Sequence, residues 1–431
     1  MNHRIAPRIL LIGTADTKGA ELSLLRGEIE KRGAGCVLMD VGVVGEAEVM
    51  AGIDRHTVAA AAGTTIENIA HGQDENTAMG AMAAGASKLA AALADRGDID
   101  GVLAIGGTMG TDLALEVAAA LPVGLAKVIV STVAFSHIIP PERLSSDLTM
   151  MLWTGGLWGM NEACRSVLRQ AAGAVVGAAE CARPLVFERP VVGLSTLGTS
   201  VLRYVTELLP ALDERGYEVL VFHAVGMGGR SLEQFAAQGR LAAVLDLCLI
   251  EVGNWALGST VHSGPDRLSA AGARGIPQIL APGGLDSVDY CTWSARPRVR
   301  EESFRVHNRL VGSSATSPED KAQVAMMIAE RANLASGPVA VVLPLDGFSE
   351  WDRAGSPMWD PEGVNAFADA MEARLSQTVD YRPVRAHIND HAFVDAVLSV
   401  FDQWVERGDI PRGVPSTASP SPSGQPVGQE R

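Results

Sequence analysis

Aromatic residues are scarce: 7 Trp, 4 Tyr and 9 Phe make up 5% of 431 residues. That shortage disfavours an aromatic-rich β fold, and the abundance of Gly and Ala favours helices packed closely on sheets. The five cysteines, Cys36, Cys164, Cys181, Cys248 and Cys291, are odd in number and never spaced as CxxC. This argues against a disulfide framework or a structural zinc site and for a reducing, cytoplasmic setting. Basic runs are missing and the formal net charge is -15, so a nucleic acid is not an expected partner. No stretch approaches the ~18 uncharged apolar residues of a membrane span, so a membrane is not expected either. The first apolar strand opens so early that no separate leader is expected. HxH, HExxH and GxSxG are also missing, and Ser195 in "GLSTLG" reads as a turn serine without a base. The one HxxxH, His387 and His391, is split by a helix start at Asn389-Asp390, so no metal site is expected.

With 47% apolar residues the chain can bury large cores. Its most informative feature is a repeat. Residues 7–45 read "PRILLIGTADTKGAELSLLRGEIEKRGAGCVLMDVGVVG", and residues 190–229 read "PVVGLSTLGTSVLRYVTELLPALDERGYEVLVFHAVGMGG". Each is a short apolar strand, a Gly/Thr turn, a helix with apolar spacing (Leu22, Leu25, Ile29; Val205, Leu208, Leu212), an Arg-Gly helix stop and a second strand. This is a βαβ unit used twice, with strands apolar throughout, as in parallel sheets covered on both faces. The first half continues with an alanine-rich helical stretch broken at His71-Gly72-Gln73-Asp74, strand Gly101–Ile105, the turn GGTMGT, helix Asp112–Leu121 and strand Lys127–Val130. The second continues with strand Ala242–Ile250, helix Pro265–Ala273, strand Gln278–Leu280, helix Pro318–Ala335 and strand Val339–Leu343. The fold class is therefore α/β: two doubly wound, Rossmann-like parallel-sheet domains arising from an internal βαβ repeat. The expected domains are residues 1–183 and 184–407, followed by a Pro/Ser/Gly-rich disordered tail, 408–431.

Two strand–helix turns in the first domain have the chemistry of an anion site. In "GTADTKG", Gly13 lets the chain turn, helix-start amides carry positive partial charge, Thr14 and Thr17 offer hydroxyls, and Lys18 supplies a cation. Asp16 can orient Lys18, cap the helix or hold a metal; a capped helix with an exposed lysine is the plainer alternative. In "GGTMGT", Gly106, Gly107, Thr108, Gly110 and Thr111 sit between a buried strand and a helix, where glycines bring amides close to a ligand. Ser131 and Thr132 end the next strand. Trp153 and Trp158 can stack on a purine or be core aromatics. Asp40 ends the second strand, where a dinucleotide fold places a ribose-binding acid, although the glycine fingerprint of NAD proteins is missing.

The second domain has its own set. "FHAVGMGGR" places His223 at a strand end, then Gly226, Gly228 and Gly229, then Arg230 as a charge clamp. Gly283 and Gly284 follow another strand. His223, Glu251 and Asp286 would lie at one sheet edge, where they are either acid/base candidates or solvated loop residues.

Together, "GTADTKG", "GGTMGT", "VSTVA", "SSDLTMM", "FHAVGMGGRSLE", "GIPQILAPGGLDSVDY" and "HINDHAF" resemble the bacterial family related to the N-terminal inhibitory domain of the tomato mosaic virus resistance protein. The resemblance spans residues 8–402 in order. It implies an ATP-binding, two-domain Rossmann-like protein that forms dimers, with the nucleotide in the first domain on Asp16, Thr17, Lys18, Gly106, Gly107, Thr108, Gly110, Thr111, Ser131 and Thr132. "WTGGLWGMN" and "HNRLVGSSATSPED" depart from the usual pattern. The leading reading is thus an ATP-binding protein, with Mg2+ allowed beside the nucleotide, Asp40 at the ribose, and ATP either regulating assembly or feeding a reaction. Two alternatives stay open: an enzyme acting on a small anionic metabolite at the second-domain cleft, and a ligand-stabilised homodimeric interaction module.

Overall fold

The computed structural model describes residues 6–72, 74–157, 159–183, 185–198, 200–356 and 358–415. The chain divides into two units, Met1–Val186 and Phe187–Arg431. In the first, strands β1 (Arg8–Gly13), β2 (Gly35–Asp40), β3 (Gly101–Gly106), β4 (Ala126–Ser131) and β5 (Leu148–Leu152) form one parallel sheet ordered β2-β1-β3-β4-β5. Alternate side chains of β1 serve opposite faces, as the two-residue repeat of a strand requires. Leu10 and Ile12 pack against the helices Glu75–Asp95 and Thr108–Ala120, while Ile9 and Leu11 pack against Gly19–Lys31 and Glu162–Cys181.

The second unit repeats this winding. Strands β6 (Val191–Thr196), β7 (Glu218–His223), β8 (Ala243–Cys248) and β9 (Gln278–Gly283) take the places of β1 to β4. An antiparallel insert follows: β10 (Ser287–Cys291), β11 (Arg305–Val306) and β12 (Val311–Ala315), ordered β10-β12-β11. Strands β13 (Val339–Pro344) and β14 (Asp380–Val384) complete a parallel sheet ordered β14-β13-β9-β8-β6-β7. In both sheets the winding reverses beside the first strand, between β1 and β3 and between β6 and β8. Ligands of doubly wound sheets bind at such switch points, beyond the carboxyl ends of the strands.

The Arg-Gly helix stops hold: Gly33 (φ 81°) and Gly216 (φ 83°) adopt the left-handed conformation that a Cβ disfavours. Four expectations need correction. The GGTMGT segment is no free turn, because the helix runs from Thr108 to Ala120 and starts inside the motif. The strand expected over Ala242–Ile250 stops at Cys248, and a short helix, Ile250–Ala256, begins two residues later. The helix expected over Pro265–Ala273 is confined to Ala270–Ala273, because Glu233 accepts the amides of Leu268 (2.6 Å) and Ala270 (2.8 Å) in place of helical carbonyls. The tail does not begin at 408. Ile410 is fully buried in the core with Tyr217 and Phe401, the Tyr217 hydroxyl donates to the Pro411 carbonyl at 2.8 Å, and the Val414 amide donates to Gly216 at 2.9 Å. The rest of the expected tail, 416–431, lies outside the described residues, as does Gln73 in the helix break.

Candidate functional site

At the β1/β3 switch point a cavity of about 610 Å³ opens. Gly13, Thr14, Asp16, Thr17 and Lys18 line one side, and Gly106, Gly107, Thr108, Met109 and Gly110 line another. The two motifs, separated by almost ninety residues of chain, meet because β1 and β3 are adjacent, with Ile12 opposite Ala104.

The first motif is a tight turn. The Thr14 carbonyl accepts the amides of Thr17 (3.2 Å) and Lys18 (2.9 Å), and the two threonine hydroxyls lie 2.6 Å apart. Lys18 stands at the N-cap of its helix, and its Nζ donates to the Leu157 carbonyl at 2.6 Å. Oδ2 of Asp16 accepts the Gly45 amide at 3.0 Å, while Oδ1 is buried with no hydrogen-bond partner. A carboxylate oxygen shut from water without a donor is costly, so the site has room for a cation beside Asp16. Gly42 permits this closure: a Cβ there would sit 2.9 Å from Asp16 Oδ1.

The second motif is a helix mouth. Gly107 is the N-cap and, as a glycine, makes no side-chain cap bond, so the first-turn amides can meet an anion where Thr108, Met109 and Gly110 line the cavity. Gly106 is required by packing, because a Cβ would approach the Gly110 Cα to 2.6 Å.

Five residues singled out in the sequence lie off the cavity wall. Asp40 is buried and its Oδ1 accepts the amides of Ala15 (2.8 Å) and Gly42 (2.9 Å); it braces the β1 turn and does not line the cavity. The Thr111 and Ser131 hydroxyls are buried against each other at 2.7 Å, tying the helix start to β4. Thr132 also stays off the cavity wall, and its amide donates to the Gly106 carbonyl at 3.3 Å. Trp153 is half-buried, with its indole N–H on the Gly156 carbonyl at 3.0 Å, while Trp158 lies outside the described residues. Sequence reasoning missed the apolar wall of Val41, Val43, Val44, Ile69, Met79 and Leu113. Val44, 90% exposed at the cavity mouth, had a readable signal as an apolar residue in a glycine loop after β2; the helical members look like ordinary core positions.

The second unit does not build the expected anion cradle. Glu251 is buried, and its Oε1 accepts the amides of Gly226 (2.6 Å) and Gly229 (3.2 Å), the donors that an anion would need. Its Oε2 accepts from Ser263 (3.0 Å) and Arg267 (3.1 Å). Gly228 is fixed by its close approach to the His223 carbonyl. Arg230 is held by Asp266 at 2.7 Å. Gly283 packs under the Leu247 carbonyl, and the Gly284 amide donates to Phe348 at 3.0 Å. The fully buried Arg267 also pairs with Asp246 and Glu233, and Ser195, a strand residue and not a turn serine, donates to Asp246 at 2.6 Å.

His223, Glu251 and Asp286 therefore occupy three separate surroundings. His223 is exposed at the end of β7. Asp286 is fully buried, with Oδ2 accepting the Ser349 hydroxyl at 2.8 Å and Oδ1 unpaired; burial pushes its carboxyl above the usual range. His387 is buried, with Nε2 2.7 Å from the Ser349 carbonyl, whereas His391 is exposed and lies 2.6 Å from Glu207. Among the described residues no helix is long and apolar enough to cross a membrane.

Fold and cavity thus define a protein of two Rossmann-like α/β domains, the first with a ligand-sized cleft at its switch point. The chain belongs to the uncharacterised protein family UPF0261: the N-terminal domain of that family matches residues 7–184 and its C-terminal domain residues 189–405. A UPF0261 protein of Brucella melitensis is 47% identical over 412 residues, covering 95% of this chain and 99% of that one. The ToMV resistance protein Tm-1(GCR237) of Solanum lycopersicum is 29% identical over 427 residues, covering 92% of this chain and 55% of the plant protein. A solved UDP-GlcNAc 2-epimerase from Methanocaldococcus jannaschii, at 9% identity, covers 92% of this chain and 99% of its own, but its TM-score of 0.20 carries no argument about this protein.

Proposed function

We propose that the first domain binds ATP. The observation that carries this reading is the convergence of Lys18, the uncapped Thr108–Ala120 helix mouth and an apolar wall on one cavity at the β1/β3 switch point. Phosphates would lie against the helix-start amides and Lys18, and the adenine against Val41, Val43 and Met79. The unpaired Oδ1 of Asp16 fits a Mg2+ ion accompanying the triphosphate, which would neutralise phosphate charge. The ribose contact expected from Asp40 is withdrawn, because that carboxylate is committed to Ala15 and Gly42. The test is calorimetric titration of the full chain with ATP, with and without Mg2+. Binding heat that weakens in Lys18→Ala supports the reading, and its absence in the wild-type chain overturns it.

The same reading makes ATP a regulator of assembly or a co-substrate. It takes the protein to act in the cytoplasm, in keeping with five unpaired cysteines, and to assemble as a homodimer. Sedimentation with and without ATP tests the assembly: a monomer under both conditions removes the dimer.

A further inference from the structure

The second domain has a cavity of its own, about 210 Å³, lined by His223 and Val225 of the glycine motif and by Gly284, but not by Gly226, Gly228, Gly229 or Arg230. It lies beyond the carboxyl ends of β6 and β7, roofed by the antiparallel insert. Asp289 on β10 faces Ser313 on β12 across the ladder, and the Ser313 hydroxyl donates to Asp289 Oδ1 at 2.5 Å. Both residues line the cavity, and Asp289 is only 7% exposed. His223 and His307, both exposed, also contribute to its lining, as do Ser349 and Trp351.

We propose that this cavity binds a small, uncharged, polyhydroxylated ligand, with Asp289, His223 and His307 exchanging hydrogen bonds with its hydroxyls and Trp351 covering its C–H face. The donor set carries the argument. Serine hydroxyls and imidazoles both donate and accept, and a carboxylate accepts, which together match the hydroxyls of an alcohol. An indole gives apolar cover to one side of such a molecule. Among the described lining residues there is no lysine or arginine, so a carboxylate or phosphate would meet Asp289 without a fixed counter-charge. A cationic ligand is disfavoured in turn because Asp289 Oδ1 already accepts the Ser313 hydroxyl and burial pushes the carboxyl above its ordinary range. The inference departs from the anionic metabolite expected for this domain and does not rest on ATP binding.

The experiment is saturation-transfer NMR on the full chain, with D-ribose and myo-inositol as probes and citrate and ethanolamine as charged counter-probes. The expected result is transfer to at least one polyol, weakened about tenfold or more in Asp289→Asn, as expected for disturbing a hydrogen bond to a buried polar group, and weakened by a smaller factor in His307→Ala, whose imidazole is exposed. The melting transition of each variant shows whether it is folded. If Asp289→Asn does not fold, the exposed positions decide through His307→Ala and His223→Ala. Transfer to neither polyol, transfer to citrate or ethanolamine alone, or polyol binding unchanged in every folded variant overturns the proposal. ATP is titrated into the same samples, so a chain that binds polyol and not ATP keeps this inference while losing the first-domain reading.

Discussion

The Gly226 amide donates to the Glu251 carboxylate at 2.6 Å. A segment with the look of an anion cradle is filled from within by an anion of its own chain. Asp40 does the same in the first domain, accepting the Ala15 and Gly42 amides. The two carboxylates separate turns that are braced internally from the turn at Gly107, which no side chain caps.

Removing Glu251 should be costly. Its two oxygens serve Gly226, Gly229, Ser263 and Arg267, all within a buried network. We expect Glu251→Ala to lose about 3–5 kcal/mol, the range for breaking a buried ion pair from one side, and Glu251→Gln to lose less because an acceptor remains. Urea unfolding measures both; a change within about 0.5 kcal/mol, typical of surface positions, would contradict the network's role.

Two glycines should respond oppositely to alanine. At Gly106 the new methyl group would press on the Gly110 backbone at 2.6 Å, forcing the helix mouth away from β3. A loss of about 1–3 kcal/mol is expected, together with weaker ATP binding. Gly27, inside the Gly19–Lys31 helix, has nothing within 4 Å of a built Cβ, so Gly27→Ala should stabilise by about 0.4–1 kcal/mol. Chemical denaturation of the two variants side by side tests the contrast.

Stability of the second domain should fall as pH rises through neutrality. Burial, and then the charge of Asp286, push the Asp352 carboxyl from 3.8 up to about 7, although it accepts the Phe348 and Asp360 amides. The native chain then holds a proton that the unfolded chain releases above roughly pH 4, so unfolding is increasingly favoured until the native group also ionises. The stabilising contribution is complete below 3.8 and is lost as pH passes about 7. Melting scans should show a higher Tm at pH 5.5 than at pH 8, with a smaller difference in Asp352→Asn. An equal difference in wild type and variant removes Asp352 as the cause.

Lys18 should matter to nucleotide affinity far more than to folding. Its Nζ donates to the Leu157 carbonyl at 2.6 Å, at a half-buried position at the cavity wall. For Lys18→Ala we expect ATP affinity to drop about ten- to a hundredfold, the range for a charge-assisted hydrogen bond. Calorimetry on a variant with an unchanged Tm reads this directly, and equal affinity excludes Lys18 as a phosphate contact.

Much of the fold is legible in the sequence. The apolar strands, the helix periodicities and the Arg-Gly stops at Gly33 and Gly216 are local features, and local sterics impose them wherever the chain lies. The antiparallel insert was not legible, because β11 is two residues long and β12 reads "VGSSA", with little apolar alternation. Half of the site was legible too: Lys18 and Gly107 were found as members of glycine-rich strand–helix turns, and both line the cavity.

What the sequence determined alone was therefore the repeated βαβ unit and the supply of turns capable of meeting an anion. Only the tertiary structure decided which of those turns remain available. Glu251 reaches Gly226 across 25 positions of chain, and Asp40 reaches Ala15 across the same separation, while among the described residues no such carboxylate bond is made at the Gly107 N-cap. The amide pattern of a turn is written in neighbouring residues, but the acceptor that satisfies it arrives through sheet order and side-chain packing, which no local window contains.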